Sequence, residues 1–311
     1  MQAWDLSRKI LVTQTRIIEW YQRYNGRVYV SFSGGKDSTV LLHIARQIYP
    51  DIKAMYIDTG LEYPEIRAFV KTHQNVDWTH PIRFDHATYS YVRTNFKEVL
   101  MTYGYPLISK EQAKFIREYR ETFSEIVRNI RWYGNKWGRG KISECHKYLI
   151  ESDIKISEKC CDVMKKNPAK LYEKENGVHP ILTTMADESE LRATRWMQNG
   201  CNAFDAKRPL SAPMSFWTEQ DVLRYLHENN IPYASVYGEI LCDNFGVYHT
   251  TKCQRTGCVF CGFGAHLEKV PNRFQRLKHT HPKLWDYCMK PIDHGGLGMA
   301  HALDVINVKY E

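Results

Sequence analysis

The chain has 311 residues, of which 43% are hydrophobic and 25% charged, and its 43 Lys and Arg against 35 Asp and Glu give a formal charge of +8. A chain of this size buries roughly 75% of its unfolded surface on folding, so a core without disulfides is expected. The composition excludes a disordered, collagen-like or coiled-coil chain, and with no 18-residue apolar run a transmembrane helix is not expected. The basic balance fits phosphate-bearing partners, nucleotides or a nucleic acid, and equally a basic solvated surface.

In chain order, the first 24 residues lack the apolar core of a signal segment. Leu11, Ile17, Ile18 and Trp20 fall at helical spacing and predict an amphipathic N-terminal helix within residues 1–25. Asn25-Gly26 signals a turn, and Val28 to Phe32 reads as a strand. The segment Ser33-Gly34-Gly35-Lys36-Asp37-Ser38 breaks that strand. A helix from Thr39 to Ile48 follows, then a strand over residues 53–58 closed by Thr59-Gly60. Strand, helix and strand within about 30 residues make a βαβ unit, hence a parallel sheet of five or six strands. Further helices are predicted over residues 63–75, over 110–131 as one long element, and over 218–227 with Thr218 as N-cap and Asp221 completing a capping box. Strands are expected over 82–84 and 181–185.

The segment from Ser33 to Ser38 sits between strand and helix. Its glycines allow close approach of a ligand to the backbone. The helix beyond offers unpaired N–H groups and a positive dipole end, and Lys36 adds a point charge. These features predict a phosphate or pyrophosphate cradle on an exposed loop. The spacing is not that of the Walker pattern.

Nine cysteines all lie from Cys145 onward. That lopsided distribution does not suit a secreted disulfide framework and points to a reducing, cytoplasmic setting with a metal or catalytic thiol. Cys160-Cys161 and the CxxC pair Cys258 and Cys261 offer four soft sulfur ligands for an iron–sulfur cluster or zinc. Cys253 is an alternative to Cys160 as a ligand. Arg128, Arg131, Lys136, Arg139 and Lys141 interleave with Trp132, Tyr133 and Trp137 without an acidic residue between Arg128 and Lys141. Such a stretch suits nucleic acid, and equally a helical lid or a dimer contact.

Ser31 to Ser38 resembles the PP-loop of N-type ATP pyrophosphatases, and within that superfamily the chain is most similar to the phosphoadenosine phosphosulfate (PAPS) reductase family. Asp58-Thr59-Gly60 with Pro64-Glu65 resembles the family's second motif, and Ala186-Asp187-Glu188-Ser189 with Arg192 its third. Pro213, Trp217-Thr218, Asp221-Val222, Tyr225-Leu226 and Ile231-Pro232-Tyr233 resemble its later helix and turn. The resemblance implies an adenine-nucleotide α-hydrolase-like parallel sheet with flanking helices and a cysteine-rich C-terminal lobe. It implies a nucleotide-binding domain over 26–240 and an iron–sulfur-associated lobe over 241–311.

By that resemblance ATP, or PAPS or adenylylsulfate, is bound by Ser33, Gly34, Gly35, Lys36, Asp37, Ser38, Asp58, Thr59 and Gly60, with Lys36, Asp37, Asp58 and Arg192 as the catalytic set. Asp58 is expected to contact Mg²⁺ or to hydrogen-bond within the loop, and Arg192 to clamp phosphate or sulfate with Lys36. Cys-Cys plus CxxC is similar to the arrangement in iron–sulfur adenylylsulfate reductases and implies a [4Fe–4S] cluster. The assimilatory reductases carry a catalytic cysteine near the C-terminus, whereas this chain has none after Cys288. The expected activity is therefore ATP pyrophosphatase and adenylating sulfurtransferase chemistry on a nucleic acid or other acceptor. The expected sulfur donor is a partner such as a cysteine desulfurase, and the enzyme is expected as a homodimer. The alternatives are a PAPS or adenylylsulfate reductase, and a catalytically silent nucleotide-binding subunit of a defence complex.

Overall fold

Apolar, β-branched stretches after Gly26 form the strands expected of them. In the computed structural model, which describes residues 1–311, Val28–Ser31 and Ala54–Ile57 pair in parallel, with Val30 opposite Ala54. Lys36–Ile48 is the crossover helix between them. A six-stranded sheet grows from this unit in the order Val76–Thr79, Ala54–Ile57, Val28–Ser31, His179–Ile181, Leu210–Ser211, Asn202–Ala203. Every neighbouring pair is parallel except the last, which is antiparallel. Parallel strands are covered on both faces, and Val28, Val30, Ala54 and Tyr56 are accordingly buried.

The chain steps outward from Val28–Ser31 through Ala54–Ile57 to Val76–Thr79, then returns on the other side of Val28–Ser31 with His179–Ile181. The direction of winding reverses between those two central strands. In open α/β sheets the ligand crevice lies beyond the carboxyl ends of the strands at that reversal. The loop Ser33–Ser38 leaves one of the two strands there, and the segment carrying Arg192 leaves the other.

Contacts divide the chain into two units, and the division is not sequential. The first comprises Met1–Asp58, Glu62–Thr79 and Pro168–Thr256; the second comprises Thr59–Leu61, His80–Asn167 and Gly257–Glu311. Linear boundaries at 25 and 240 do not mark these divisions, because strands distant in sequence pair within one sheet.

In the first unit Asp5 caps the helix Leu6–Arg23 by accepting the Arg8 N–H. This helix buries Leu6, Lys9, Thr13, Ile17 and Trp20. Leu11, expected on the apolar face, is 64% exposed, because the buried residues follow spacings of three and four from Leu6. Lys9 takes part in that face because Asp221 accepts from its ammonium at 2.6 Å. Asp221 also accepts from the Thr218 N–H at 2.7 Å, closing the capping box of the helix Glu219–Glu228.

The second unit is mostly helical. It packs Phe96, Leu100, Phe115, Ile116, Phe274 and Leu303 away from solvent. The long helix expected over 110–131 is two, Lys110–Glu121 and Glu125–Tyr133. Thr122 is extended and accepts from the Ser124 N–H, and Ser124 then accepts from Val127 as a new N-cap. Short hydroxyl side chains that bond nearby backbone favour such a break. The strand expected over 181–185 is His179–Ile181. Ile82–Asp85 is indeed a strand, but it forms a hairpin with Ser90–Arg93 in the second unit rather than joining the sheet. No helix is long and apolar enough to cross a membrane.

Candidate functional site

The loop after Val28–Ser31 is folded by its own serines. Ser38 accepts from the Ser33 N–H at 3.2 Å and donates to the Gly35 carbonyl at 2.9 Å, and the Ser33 and Ser38 hydroxyls lie 3.0 Å apart. Gly34 has φ +73°, a conformation L side chains rarely adopt. A Cβ there would also lie 2.7 Å from Val70 Cγ2 and 2.8 Å from Ile66 Cγ2. Gly35 is the N-cap of the helix that Lys36 begins.

Lys36 is not on an exposed loop. It is 4% exposed, and its ammonium reaches Glu219 at 2.7 Å and the Gln254 carbonyl at 2.7 Å. Its N–H donates to the Tyr237 hydroxyl at 3.1 Å, which also hydrogen-bonds Thr256 at 2.6 Å. The first turn of the helix is thus clamped to Tyr237, and Lys36 acts as a tethered charge. Burial raises the Asp37 carboxyl above its ordinary value, opposed by Lys36 and Arg255 and aided by Glu219. Its Oδ1 is shielded from solvent without a hydrogen-bond partner.

Arg192 lies in the first turn of Glu190–Asn199, capped by Ser189, and pairs with Glu188. Burial lowers its pKa, the charge of Arg255 lowers it further, and Asp37 opposes both. Arg255, whose charge acts on Arg192, is a cation that motif reading missed. Arg192, already paired with Glu188, and Arg255 bring two guanidiniums beside a glycine loop, an arrangement that an anionic group would balance; the unpartnered Asp37 oxygen is an acceptor that only a donor would satisfy.

Asp58 extends its strand by donating its N–H to the Thr79 carbonyl, and its Oδ2 is held by Arg67 at 2.7 and 3.1 Å. Asp58 is thus already neutralised by an arginine. No group of three or more His, Cys, Asp or Glu side chains forms a metal-ion site. The protein groups do not by themselves fit Mg²⁺, a cation that needs oxygen ligands in octahedral array. Thr59 and Gly60 belong to the second unit; Thr59 is buried and accepts from the Leu61 N–H at 3.1 Å.

The second unit holds all four of the expected sulfur ligands. Cys160 and Cys161 open a helix whose next residues, Asp162–Lys166, wind as a π-helix, a form frequent at functional sites. Cys258 and Cys261 are the ends of a tight turn, Cys261 donating its N–H to the Cys258 carbonyl at 3.1 Å. Gly262 must follow, because a Cβ there would lie 2.8 Å from the Pro106 carbonyl oxygen. Burial, then Cys258, Cys161 and Cys261 in turn, push the Cys160 thiol far up, and Lys165 opposes them. Burial and Cys258 push Cys261 up to about 11. Four sulfurs that act on one another in this way, beside Lys165 and the Arg273 guanidinium that donates to the Cys261 carbonyl, fit the all-thiolate donor set of an iron–sulfur cluster. A cluster spreads its thiolates more widely than a single ion does. Cys253 belongs to the first unit and donates to the Arg255 carbonyl at 3.0 Å.

The sequence model of the phosphoadenosine phosphosulfate reductase domain matches residues 27–84 and 85–262. The chain belongs to this family. Among curated relatives, two uncharacterised proteins of Methanocaldococcus jannaschii are 24% and 23% identical over 86% and 90% of this chain. The matched regions span only 41% and 51% of those proteins' lengths. An adenosine 5'-phosphosulfate reductase of Bacillus cereus is 22% identical over 71% of this chain and 72% of its own. A solved PAPS reductase of Candida auris in complex with phosphate is 14% identical, with a TM-score of 0.38, over 79% of this chain and 90% of its own.

Proposed function

We propose that this member of the PAPS reductase family activates an acceptor with ATP for sulfur insertion rather than reducing a sulfonucleotide. The carrying observation is Cys288. It is 0% exposed, and burial pushes its thiol far up. A thiol that is neither ionised nor accessible is no nucleophile toward a sulfonucleotide.

In this reading the loop Ser33–Ser38 holds the nucleotide's phosphates, and Arg192 with Arg255 balances their charge. An acceptor oxygen attacks the α-phosphorus. The bond from that phosphorus to the bridging oxygen breaks, and pyrophosphate leaves with the electron pair. A persulfide sulfur then displaces AMP from the acceptor, and an external thiol reduces the remaining sulfur–sulfur bond. Cys160, Cys161, Cys258 and Cys261 would hold a [4Fe–4S] cluster, which, with a thiolate on each iron, would supply when bound a cross-link between the two cysteine segments and a charge, not an open iron site.

The adenosine 5'-phosphosulfate reductases among the relatives favour a second reading, reduction of a sulfonucleotide. One assay separates the two. Anaerobically purified protein receives ATP, PAPS or adenylylsulfate with a thiol reductant. Pyrophosphate from ATP without sulfite from either sulfonucleotide supports activation, and thiol-dependent sulfite release overturns it. Neither product would point instead to a silent nucleotide-binding subunit.

A further inference from the structure

The helix Glu125–Tyr133 buries none of its nine residues, although five of them, Ile126, Val127, Ile130, Trp132 and Tyr133, are apolar or aromatic. Phe123 before it, Ile126 and Tyr133 on it, and Trp137 after it are 101%, 73%, 71% and 69% exposed. Large aromatics left in water on one segment mark a contact surface.

The loop beyond the helix is built rather than slack. Asn135 accepts from the Trp137 and Arg139 N–H groups, both at 3.0 Å, and donates its own N–H to the Arg139 carbonyl at 2.8 Å. Arg131 ties the loop down through the Gly140 carbonyl at 2.8 Å and Glu118 at 2.7 Å. Ile142, fully buried, anchors its far end. Trp137 is thus held out to solvent by a fixed turn, with the Lys136 ammonium 4.2 Å from its ring centroid. Arg128, Lys136, Arg139 and Lys141 are exposed and have no carboxylate partner. Only Arg131 among the five cations of the stretch is neutralised.

Rigid aromatic faces among unpaired cations have a specific complement: a strand that carries phosphates and offers unstacked bases. We propose that Glu125–Lys141 is a single-stranded nucleic-acid-binding surface. Bases would stack on Trp137 and Tyr133 while Arg128, Lys136, Arg139 and Lys141 contact phosphates. A duplex offers no free base faces, and an apolar protein partner leaves four unpaired cations unexplained. The strand's role as acceptor rests on the activation reading above; its binding does not.

The test is fluorescence anisotropy with labelled 20-nucleotide single-stranded RNA and DNA, without nucleotide, over a series of salt concentrations. Binding to one or both strands, weaker for a duplex of the same sequence, is expected. Trp137→Ala should lose about five- to a hundredfold in affinity, the usual effect of removing one stacking face. Arg139→Gln with Lys141→Gln should flatten the logarithmic salt slope by about 1.4, two counterions' worth on a single strand. All these side chains are exposed, so an unchanged melting temperature checks the fold. Pyrophosphate release is read separately, which keeps a failure of ATP activation distinct from a failure of strand binding. No strand binding at low salt, or affinity unchanged in Trp137→Ala, overturns the proposal. So does concentration-dependent self-association that Trp137→Ala abolishes while strand binding stays the same.

Discussion

Gly34→Ala tests the nucleotide loop most sharply, because two costs at that position can be worked out. A left-handed backbone conformation at φ +73° costs an alanine about 1–2 kcal/mol. The new methyl also meets Val70 and Ile66 side-chain carbons at 2.7 and 2.8 Å, and overpacking of that kind costs about 1–3 kcal/mol. The sum, about 2–5 kcal/mol, is a large part of the 5–15 kcal/mol that typically holds a domain together. In a unit of this size it corresponds to about 2–4 °C of melting temperature per kcal/mol. Gly35→Ala is the control. Gly35 has an ordinary φ of −75°, and its Cβ would lie 3.3 Å from the Tyr237 hydroxyl oxygen, so a change under about 1 kcal/mol is expected. Thermal unfolding followed by circular dichroism reads stability, and titration with ATP and with PAPS reads the loop. Gly34→Ala should melt well below Gly35→Ala and lose at least about tenfold in nucleotide affinity. Equal melting of the two variants would refute the steric reasoning. Parental affinity in a destabilised Gly34→Ala would refute the loop's role in binding.

Asp37→Asn should stabilise the protein at neutral pH while weakening nucleotide binding. The folded carboxyl is raised above its unfolded value, so folding takes up protons and stability falls as pH rises through that window; the gain from Asn should shrink toward pH 4, and a pH-independent difference would count against it. Asp221→Ala should cost about 4–6 kcal/mol in urea unfolding, since it strands the buried Lys9 ammonium and removes a helix cap. Lys9→Met should cost far less, because Asp221 keeps Thr218; equal midpoints would sink that account. Anaerobic protein should be brown, and Cys160→Ser, Cys161→Ser, Cys258→Ser and Cys261→Ser should each lose iron while Cys253→Ser keeps it. Colourless protein, or retained iron in the four variants, would remove the cluster.

The strand, loop and helix around Ser33–Ser38 were legible because each depends on neighbours in sequence: β-branched residues, a Gly-Gly break, a regular apolar face. The capping box at Thr218 and Asp221 was legible for the same reason. What escaped depends on distant partners. Lys36 reads as a free cation until Glu219 and the Gln254 carbonyl are brought to it. Arg255 carries no motif of its own, although its place between Cys253 and Cys258 was a usable hint. Leu11 fitted an apolar face that Lys9 occupies, because a lysine can be buried once Asp221 meets it. The break at Thr122–Ser124 lay in local hydroxyl chemistry and was overlooked under a strong helical period.

The interleaving of the two units sets an order of events during synthesis. The last strand and helix of the first unit are complete once Thr256 has been made. The second unit still lacks Gly257–Glu311, and with it Cys258 and Cys261. Cys258 follows Cys161 by 97 residues, which at about 5–20 residues per second take roughly 5–19 s to make. In that interval Cys160 and Cys161 wait without Cys258 and Cys261, on an insertion within a sheet whose strands His179–Ile181, Asn202–Ala203 and Leu210–Ser211 are themselves still to be made. Thiols in that state are open to misoxidation, so a cluster held as proposed above would depend on when iron is delivered as well as on how much. Slow codons placed before residue 258 would lengthen the exposure, and iron content per chain would fall with no change in the encoded protein.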